Sequence, residues 1–245
     1  MPLNFDVLTP ASALRIAALT PFTSIDFPGK LSAVVFLRGC PWRCSYCHNQ
    51  WMRSRRPQEG DPQWGDVEKL LQKRKGLLDG VVFSGGEPCM DAALPAAVRI
   101  VKDEGYAVGL HTSGAYPRRL QECVGRIDWV GLDVKGNPED PEAYDAIAGL
   151  KGAHQAFLES FEILRQVGVD MEARTTVHPD FLSEDDLLAI GRWLASRGVA
   201  RYAVQIFRKA PGMQTDYGPV AATWPSADVL SALEDLFEHF TLRRG

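Results

Sequence analysis

At 245 residues, with 45% hydrophobic and 24% charged side chains and a net charge of −4, the chain can bury one sizeable core and is ordinary for a soluble globular protein. That charge argues against wholesale nucleic-acid binding, which calls for a basic surface. No apolar run approaches the roughly 18–20 residues needed to span a bilayer, so no membrane association is expected. The start, Met1-Pro-Leu-Asn-Phe-Asp, lacks a basic stretch followed by an apolar core and does not read as an export signal. Five cysteines, three in one tight group, suit metal binding in a reducing compartment better than a disulfide framework. A cytoplasmic location and a single domain over residues 1–245 are the expectation.

Residues 1–12 read as an irregular tail, and a loose alternation from Leu14 through Ile16 to Leu19 leads to the turn signal Pro28-Gly29. Ala33 to Leu37 is a short continuous apolar run, the signature of a strand buried on both faces. The chain then falls into a rhythm. A helix carries Trp64, Val67, Leu70 and Leu71, with Gly80 at its end. Val81–Ser84 is a strand, and Leu94, Ala97, Val98 and Val101 mark a helix with Gly105 beyond its last turn. Tyr106–Leu110 is a strand, a helix starts near Pro117, and Ile127–Leu132 is a strand. Phe157, Phe161, Leu164 and Val167 share a helix face, followed by a strand over Val169–Val177. Ser183 and Asp186 form a capping box opening a helix with Leu187, Ile190 and Leu194. Tyr202–Phe207 is the sixth strand, and Val229, Leu233, Leu236 and Phe240 line a final helix. Residues 52–63, 136–152 and 208–225 read as irregular. Six alternations of strand and helix predict a parallel sheet, too short for an eight-stranded barrel: a partial (βα)6 barrel.

The chemically capable residues fall at the C-terminal ends of these strands, where α/β barrels carry their sites. Cys40, Cys44 and Cys47 follow the first strand, and Gly85-Gly86-Glu87-Pro88 the second. His111-Thr112-Ser113-Gly114 follow the third, Asp133 and Lys135 end the fourth, Arg174, Thr175 and Thr176 lie late in the fifth, and Gln205 and Arg208 late in the sixth. Three thiolates so close can hold one compact metal centre. A cubane iron–sulfur cluster normally takes four cysteines, so a three-cysteine loop leaves one iron open to a small molecule. The bland alternative is a structural zinc with His48 as fourth ligand, although His48 sits directly beside Cys47 rather than two to four residues away. Gly85-Gly86 allows either a tight turn or close approach of a ligand. Asp133 and Lys135 can form an ion pair or line a charged ligand's seat. Cys123 reads as a buried small hydrophobe. The run Arg53, Arg55, Arg56 is either a solvated face or a docking patch for an acidic electron carrier.

Cys40-x3-Cys44-x2-Cys47, with aromatic Tyr46 before the last cysteine and Gly85-Gly86-Glu87-Pro88 at the next strand end, resembles the radical S-adenosylmethionine (SAM) superfamily over about residues 14–210. The resemblance implies a partial (βα)6 TIM-like barrel in which Cys40, Cys44 and Cys47 hold three irons of a [4Fe–4S] cluster. SAM then chelates the fourth iron, with Tyr46 beside the adenine and Gly85, Gly86, Glu87 and Pro88 at the methionine amino group. Ser113, Asp133, Lys135 and Arg174 line the ribose or carboxylate end. No catalytic acid or base is implied.

Within the superfamily, Ile25-Asp-Phe-Pro-Gly29, Cys47-His-Asn49 and Gly131-Leu-Asp-Val-Lys135 resemble the activating enzymes of glycyl radical enzymes. With His111–Pro117 and Arg174–Val177 the chain is most similar to a long variety of the anaerobic ribonucleoside-triphosphate reductase activating proteins. The implied partners are that glycyl radical enzyme and a flavodoxin or ferredoxin-type electron donor. The length is nearer that of pyruvate formate-lyase activators, so a pyruvate formate-lyase type of partner, or a small molecule, is the alternative. A non-catalytic iron–sulfur or zinc module is a third reading.

Overall fold

A computed structural model describes residues 9–210, 213 and 215–244. Its centre is one eight-stranded sheet whose strands are neighbours in chain order. They are β1 (Ile16–Thr23), β2 (Ser32–Leu37), β3 (Gly80–Gly85), β4 (Ala107–Thr112), β5 (Trp129–Asp133), β6 (Asp170–Val177), β7 (Arg201–Ile206) and β8 (His239–Arg243). β1 runs antiparallel to β2, and every later pair is parallel. Between them lie α1 (Trp64–Lys73), α2 (Leu94–Asp103), α3 (Pro117–Cys123), α4 (Pro141–Ala148), α5 (Ala153–Val167), α6 (Glu184–Ala195) and α7 (Ala227–Glu234). The partial barrel expected from the alternating pattern is the fold observed, with an extra strand on each flank of the six.

Strand residues alternate between two burial environments, as the two-residue period requires. Ala33, Val35 and Leu37 of β2 join Val81, Phe83, Val108, Leu110, Val130 and Leu132 against the helices. The opposite set, Val34 and Phe36 with Val82, Ala107 and Trp129, faces the barrel interior around Phe27. Phe27 comes from the β1–β2 connection and stacks on Trp129 with ring centroids 5.7 Å apart. Gly80 and Gly109 make room for it, since a Cβ on either would lie 3.2 Å from a Phe27 ring carbon. The aromatic pair closes one end of the barrel and leaves the polar inner positions to the other.

Several expectations are corrected. Gly80 opens β3 instead of ending the first helix, which stops at Lys73. Residues 136–152 are not irregular throughout: Asp140 caps α4 by accepting from the Ala143 amide, and Gly149 ends it at φ +66°. The last helix stops at Glu234, and Phe240 belongs to β8. Leu233 fills the space left by Gly191 of α6, where a Cβ would come within 2.4 Å, and the chain then turns to hydrogen-bond the open edge of β7. Of the expected tail, residues 1–8 lie outside the described residues, but Ala11–Ala13 form a 3-10 turn with Ala11 buried. Residues 211, 212 and 214 of the stretch 208–225 also lie outside them. The Ser183–Asp186 capping box is present. No described helix is long and apolar enough to cross a membrane.

Phe27→Ala removes the ring that seals the interior and leaves a cavity, so it should destabilise the metal-free protein by about 3–4 kcal/mol. Denaturant unfolding of the two proteins side by side measures the loss.

Candidate functional site

The strand ends surround a cavity of about 260 Å³. Its walls include Cys40, Cys44, Tyr46 and Cys47 from the loop after β2, Gly85 at the end of β3 and Gly86 after it, Ser113 after β4, and Asp133, Lys135 and Arg174 beyond. Ser84, His111, Thr112, Thr176 and Gln205 complete the strand contribution. Of the expected site residues, Glu87 and Pro88 stand behind this wall, not in it. Thr175 points the other way and accepts a 2.9 Å hydrogen bond from the Tyr202 hydroxyl. Arg208 lies outside the cavity, lining a neighbouring one with Lys209, Tyr217 and Arg244.

The two glycines are required by packing between strand ends. Gly85 has φ +119°, and a Cβ there would sit 2.3 Å from the Leu37 amide nitrogen. A Cβ on Gly86 would lie 2.3 Å from the Gly39 carbonyl oxygen and 3.2 Å from Cys40 Cβ. Backbone bonds use this closeness: Gly86 N–H donates to Leu37 O at 3.0 Å and Glu87 N–H to Gly39 O at 2.8 Å. The glycine pair therefore sets the position of the first cysteine.

Glu87 is 1% exposed. Its Oε1 accepts from the Cys89 amide at 2.9 Å and the Thr112 hydroxyl at 2.8 Å. Its Oε2 accepts from the Ser113 amide at 2.9 Å and the Ser113 hydroxyl at 2.7 Å. A carboxylate holding four donors locks the end of β4 to the end of β3 and fixes Ser113 at the cavity wall. Cys89 is buried beside it.

The cysteine loop is held from the opposite side by α4, an element absent from the sequence reading. Arg43 N–H donates to Ala148 O at 2.8 Å, and Cys44 Sγ lies 3.7 Å from the same carbonyl. Arg43 Nη1 donates to Cys40 O at 2.7 Å. Tyr46 stacks on Phe181 at 4.6 Å, and Ser45 Oγ and Tyr217 OH share a 2.6 Å hydrogen bond. Trp42, Phe181 and Tyr217 gave no sequence signal, because their contacts join segments far apart in the chain.

Electrostatics show what the loop can hold. Burial pushes the Cys40 thiol up to about 12, with help from the nearby Glu87 charge, and raises Cys44 as well. Neutral buried thiols become thiolate ligands when metal supplies positive charge at the sulfur. Among the described residues, no three His, Cys, Asp or Glu side chains converge to hold a single ion. His48 lines the same cavity as the cysteines, its ring centroid 5.5 Å from that of Phe207. A single zinc needs its ligands to converge on one point, whereas a cubane gives each thiolate an iron of its own. The Tyr46 hydroxyl is buried without a hydrogen-bond partner at the cavity wall. An unmet donor of this kind suits a ligand carrying acceptors. Lys135 Nζ bonds Asp133 Oδ2 at 2.8 Å. Burial is the largest single influence and opposes its charge, but Asp133 together with the neighbouring Tyr46 and Cys44 raises its pKa and keeps the ammonium protonated. Arg174 is pinned through Nε to Glu172 Oε1 at 2.7 Å, and Arg243 of β8 bonds both Glu172 oxygens at 2.9 Å. The three-cysteine loop, the unmet hydroxyl and the cationic side chains fit a [4Fe–4S] cluster with SAM.

The basic run after the loop is not a continuous docking face. Arg53 lines the cavity, Arg55 bonds Met90 O and Asp91 Oδ2 at 3.0 and 3.3 Å, and of the three only Arg56 is exposed.

A barrel with three cysteines on the loop after the first parallel strand and a glycine pair at the next strand end defines a class, and residues 34–194 match the Radical SAM superfamily. The chain belongs to this family, whose members use a [4Fe–4S] cluster and SAM. Its relatives include proteins named as a PqqA peptide cyclase and a GTP 3′,8-cyclase, and several named as activating enzymes of glycyl radical enzymes. One, from Methanocaldococcus jannaschii, is 29% identical over 78% of this chain and 79% of its own length. The pyruvate formate-lyase-activating enzyme of Clostridium pasteurianum is 31% identical over 67% of this chain and 69% of its own. That of Streptococcus mutans is 28% identical over 75% and 73%. Solved structures share the fold. A radical SAM methyltransferase from Sphaerobacter thermophilus superposes with a TM-score of 0.67 at 17% identity, over 91% of this chain and 69% of that one. SuiB of Streptococcus suis bound to S-adenosylmethionine gives 0.66 at 13% identity, over 84% of this chain. The present chain spans about half, 48%, of SuiB's length.

Two outcomes test the site. Glu87→Ala leaves four buried donors without their acceptor and should cost about 2–4 kcal/mol in the metal-free protein, read by denaturant unfolding. His111 is half-buried in the cavity wall beside Arg174, and loss of solvation first, then that charge, lower its pKa to about 4. Its neutral ring is bonded to Asp26 O at 2.9 Å and Ser84 Oγ at 3.3 Å. The unfolded chain takes up a proton near pH 6.5 that the folded chain refuses until about pH 4. Stability is therefore full above pH 6.5 and falls, by on the order of 3 kcal/mol, as pH drops towards 4. His111→Gln should flatten that part of the profile.

Proposed function

We propose that this protein activates a glycyl radical enzyme by removing a hydrogen atom from a backbone glycine of that partner, and that the partner is the anaerobic ribonucleoside-triphosphate reductase. The observation that carries the reading is the cavity in which Cys40, Cys44 and Cys47 face Gly85, Gly86 and Ser113. Family membership and the named activities of the relatives support it. When bound, the cluster and SAM together supply a strongly oxidising 5′-deoxyadenosyl radical, with methionine as the other product, at the expense of one electron.

What this chain's residues contribute is binding, orientation and exclusion of water. Cys40, Cys44 and Cys47 would be the iron ligands. Gly85 and Gly86 would offer backbone at the methionine end, with Glu87 and Pro88 holding that backbone in place, and Tyr46 would flank the adenine. Ser113, Asp133, Lys135 and Arg174 would line the ribose and carboxylate end, where Lys135 and Arg174 favour an anionic group. Phe27 and Trp129 close the barrel beneath the site, so a partner loop has to arrive from the strand-end side or from between the open edges β1 and β8. No side chain is needed as acid or base. We place the protein in the cytoplasm as a single domain, reduced by a flavodoxin or ferredoxin-type donor. A second reading, a pyruvate formate-lyase type of partner, is favoured by the names of two relatives.

After anaerobic reconstitution, the protein with SAM and a strong reductant should form 5′-deoxyadenosine. With the reductase added, a glycyl doublet should appear in the electron paramagnetic resonance spectrum. Cys44→Ala should lower both by at least 100-fold. Absence of 5′-deoxyadenosine from the parent protein would refute the enzyme reading, and a doublet with pyruvate formate-lyase alone would select the second partner.

A further inference from the structure

The stretch from residue 51 to residue 61 supplies Arg53 to the cavity wall but no residue with a role in the proposed chemistry, yet it is tied to the barrel more firmly than a connection requires. Its anchor is Arg38, directly before Gly39 and Cys40 and 1% exposed. Arg38 Nε donates to Asp61 Oδ2 at 2.5 Å and Nη2 to Asp61 Oδ1 at 2.6 Å. The third arm, Nη1, reaches the Trp51 carbonyl at 3.3 Å, and the guanidinium carbon lies 5.6 Å from the centre of the Trp51 ring. Asp61 Oδ2 also accepts the Gln58 amide at 2.8 Å. Both side chains are little exposed, at 1% and 7%, and they stand at the wall of a separate cavity with Arg15 and Gln63.

The chain so fastened is the chain that holds the first cysteine. Gly39 N–H donates to Met52 O at 2.7 Å and Cys40 N–H to Arg53 O at 3.2 Å. Arg55 lies across Gly39 so closely that a Cβ there would meet Arg55 Cγ at 2.5 Å. Arg15 Nη1 in turn bonds Arg55 O at 3.0 Å. A buried ion pair is seldom the most stable filling for its space, because desolvating two charges offsets their attraction. What a two-pronged arginine–carboxylate pair adds is a fixed geometry.

We propose that the buried Arg38–Asp61 pair is a positioning clasp for Cys40: it locks residues 51–61 against the end of β2 and thereby sets where the Cys40 sulfur meets the cluster. Arg38 and Asp61 act through Cys40 and touch no substrate. The proposal rests on the reading of Cys40 as an iron ligand.

The test uses the full chain, reconstituted anaerobically, in four forms: parent, Asp61→Asn, the double variant Arg38→Met with Asp61→Leu, and Cys40→Ala. Three quantities are measured: thermal unfolding of the metal-free protein, the rate of iron release to a chelator, and the electron paramagnetic resonance spectrum of the reduced cluster. The double variant fills the space with apolar groups, so its metal-free midpoint should stay within a few degrees of the parent's. Its cluster should nonetheless lose iron at least threefold faster and show shifted g-values, and Asp61→Asn should move both readouts in the same direction by less. Parent-like release and spectrum in both clasp variants, with cluster loss in Cys40→Ala, overturns the clasp and leaves the ligand reading standing. A full iron complement in Cys40→Ala overturns the ligand reading and the clasp together.

Discussion

The end of β3 meets the end of β2 with no space for a side chain between them, and the site is built outward from that contact. Gly85 and Gly86 are pressed against Leu37, Gly39 and Cys40, so the backbone itself forms the joint. Any Cβ here would have to displace main chain, which gives way far less readily than the tip of a flexible side chain. From the joint the chain passes into Glu87, whose carboxylate gathers donors from Cys89, Thr112 and Ser113 and carries the alignment on to β4. Two strand ends and the first cysteine are thus one rigid unit before any cofactor is considered.

The other walls are arranged electrostatically. Around the cavity stand thiols that burial keeps neutral, a lysine held charged by Asp133, and Arg174 oriented by Glu172. Glu172 is itself balanced by Arg243 from β8, so the last strand contributes to the interior although it lines none of the cavity. Such an interior favours a group that brings both positive charge for sulfur and negative charge for the lysine and arginine. A cluster with an amino-acid cofactor bound to it meets both demands. Beneath them the uncharged His111, Phe27 and Trp129 form a floor that admits little water.

Much of this was legible in the linear chain. The continuous apolar run Ala33–Leu37 and the alternation of strands and helices after it placed the polar strand ends on one side of a sheet, and the cavity is lined from those ends. Where the reading went astray, the reason is physical. Leu233, Leu236 and Phe240 fit a helical spacing, but the open edge of β7 offered hydrogen bonds that a longer helix would have left unused, so the chain became β8. Thr175 and Thr176 are adjacent and chemically alike, and only strand register sends Thr176 inward. Arg55 looked like part of a basic surface because a sequence does not show that Asp91 and Met90 lie beside it.

By itself the sequence determined the class: cysteine spacing, a glycine pair at the following strand end and six alternations are local properties of the backbone, and local patterns survive in one dimension. The tertiary structure alone decided which charges face which. Arg38 finds Asp61, Arg243 finds Glu172, and Tyr217 reaches Ser45 only after the barrel has wrapped and its connections have returned to it. Those pairings join residues separated by long stretches of chain, and an ion pair depends on a few ångströms of three-dimensional distance that no periodicity records.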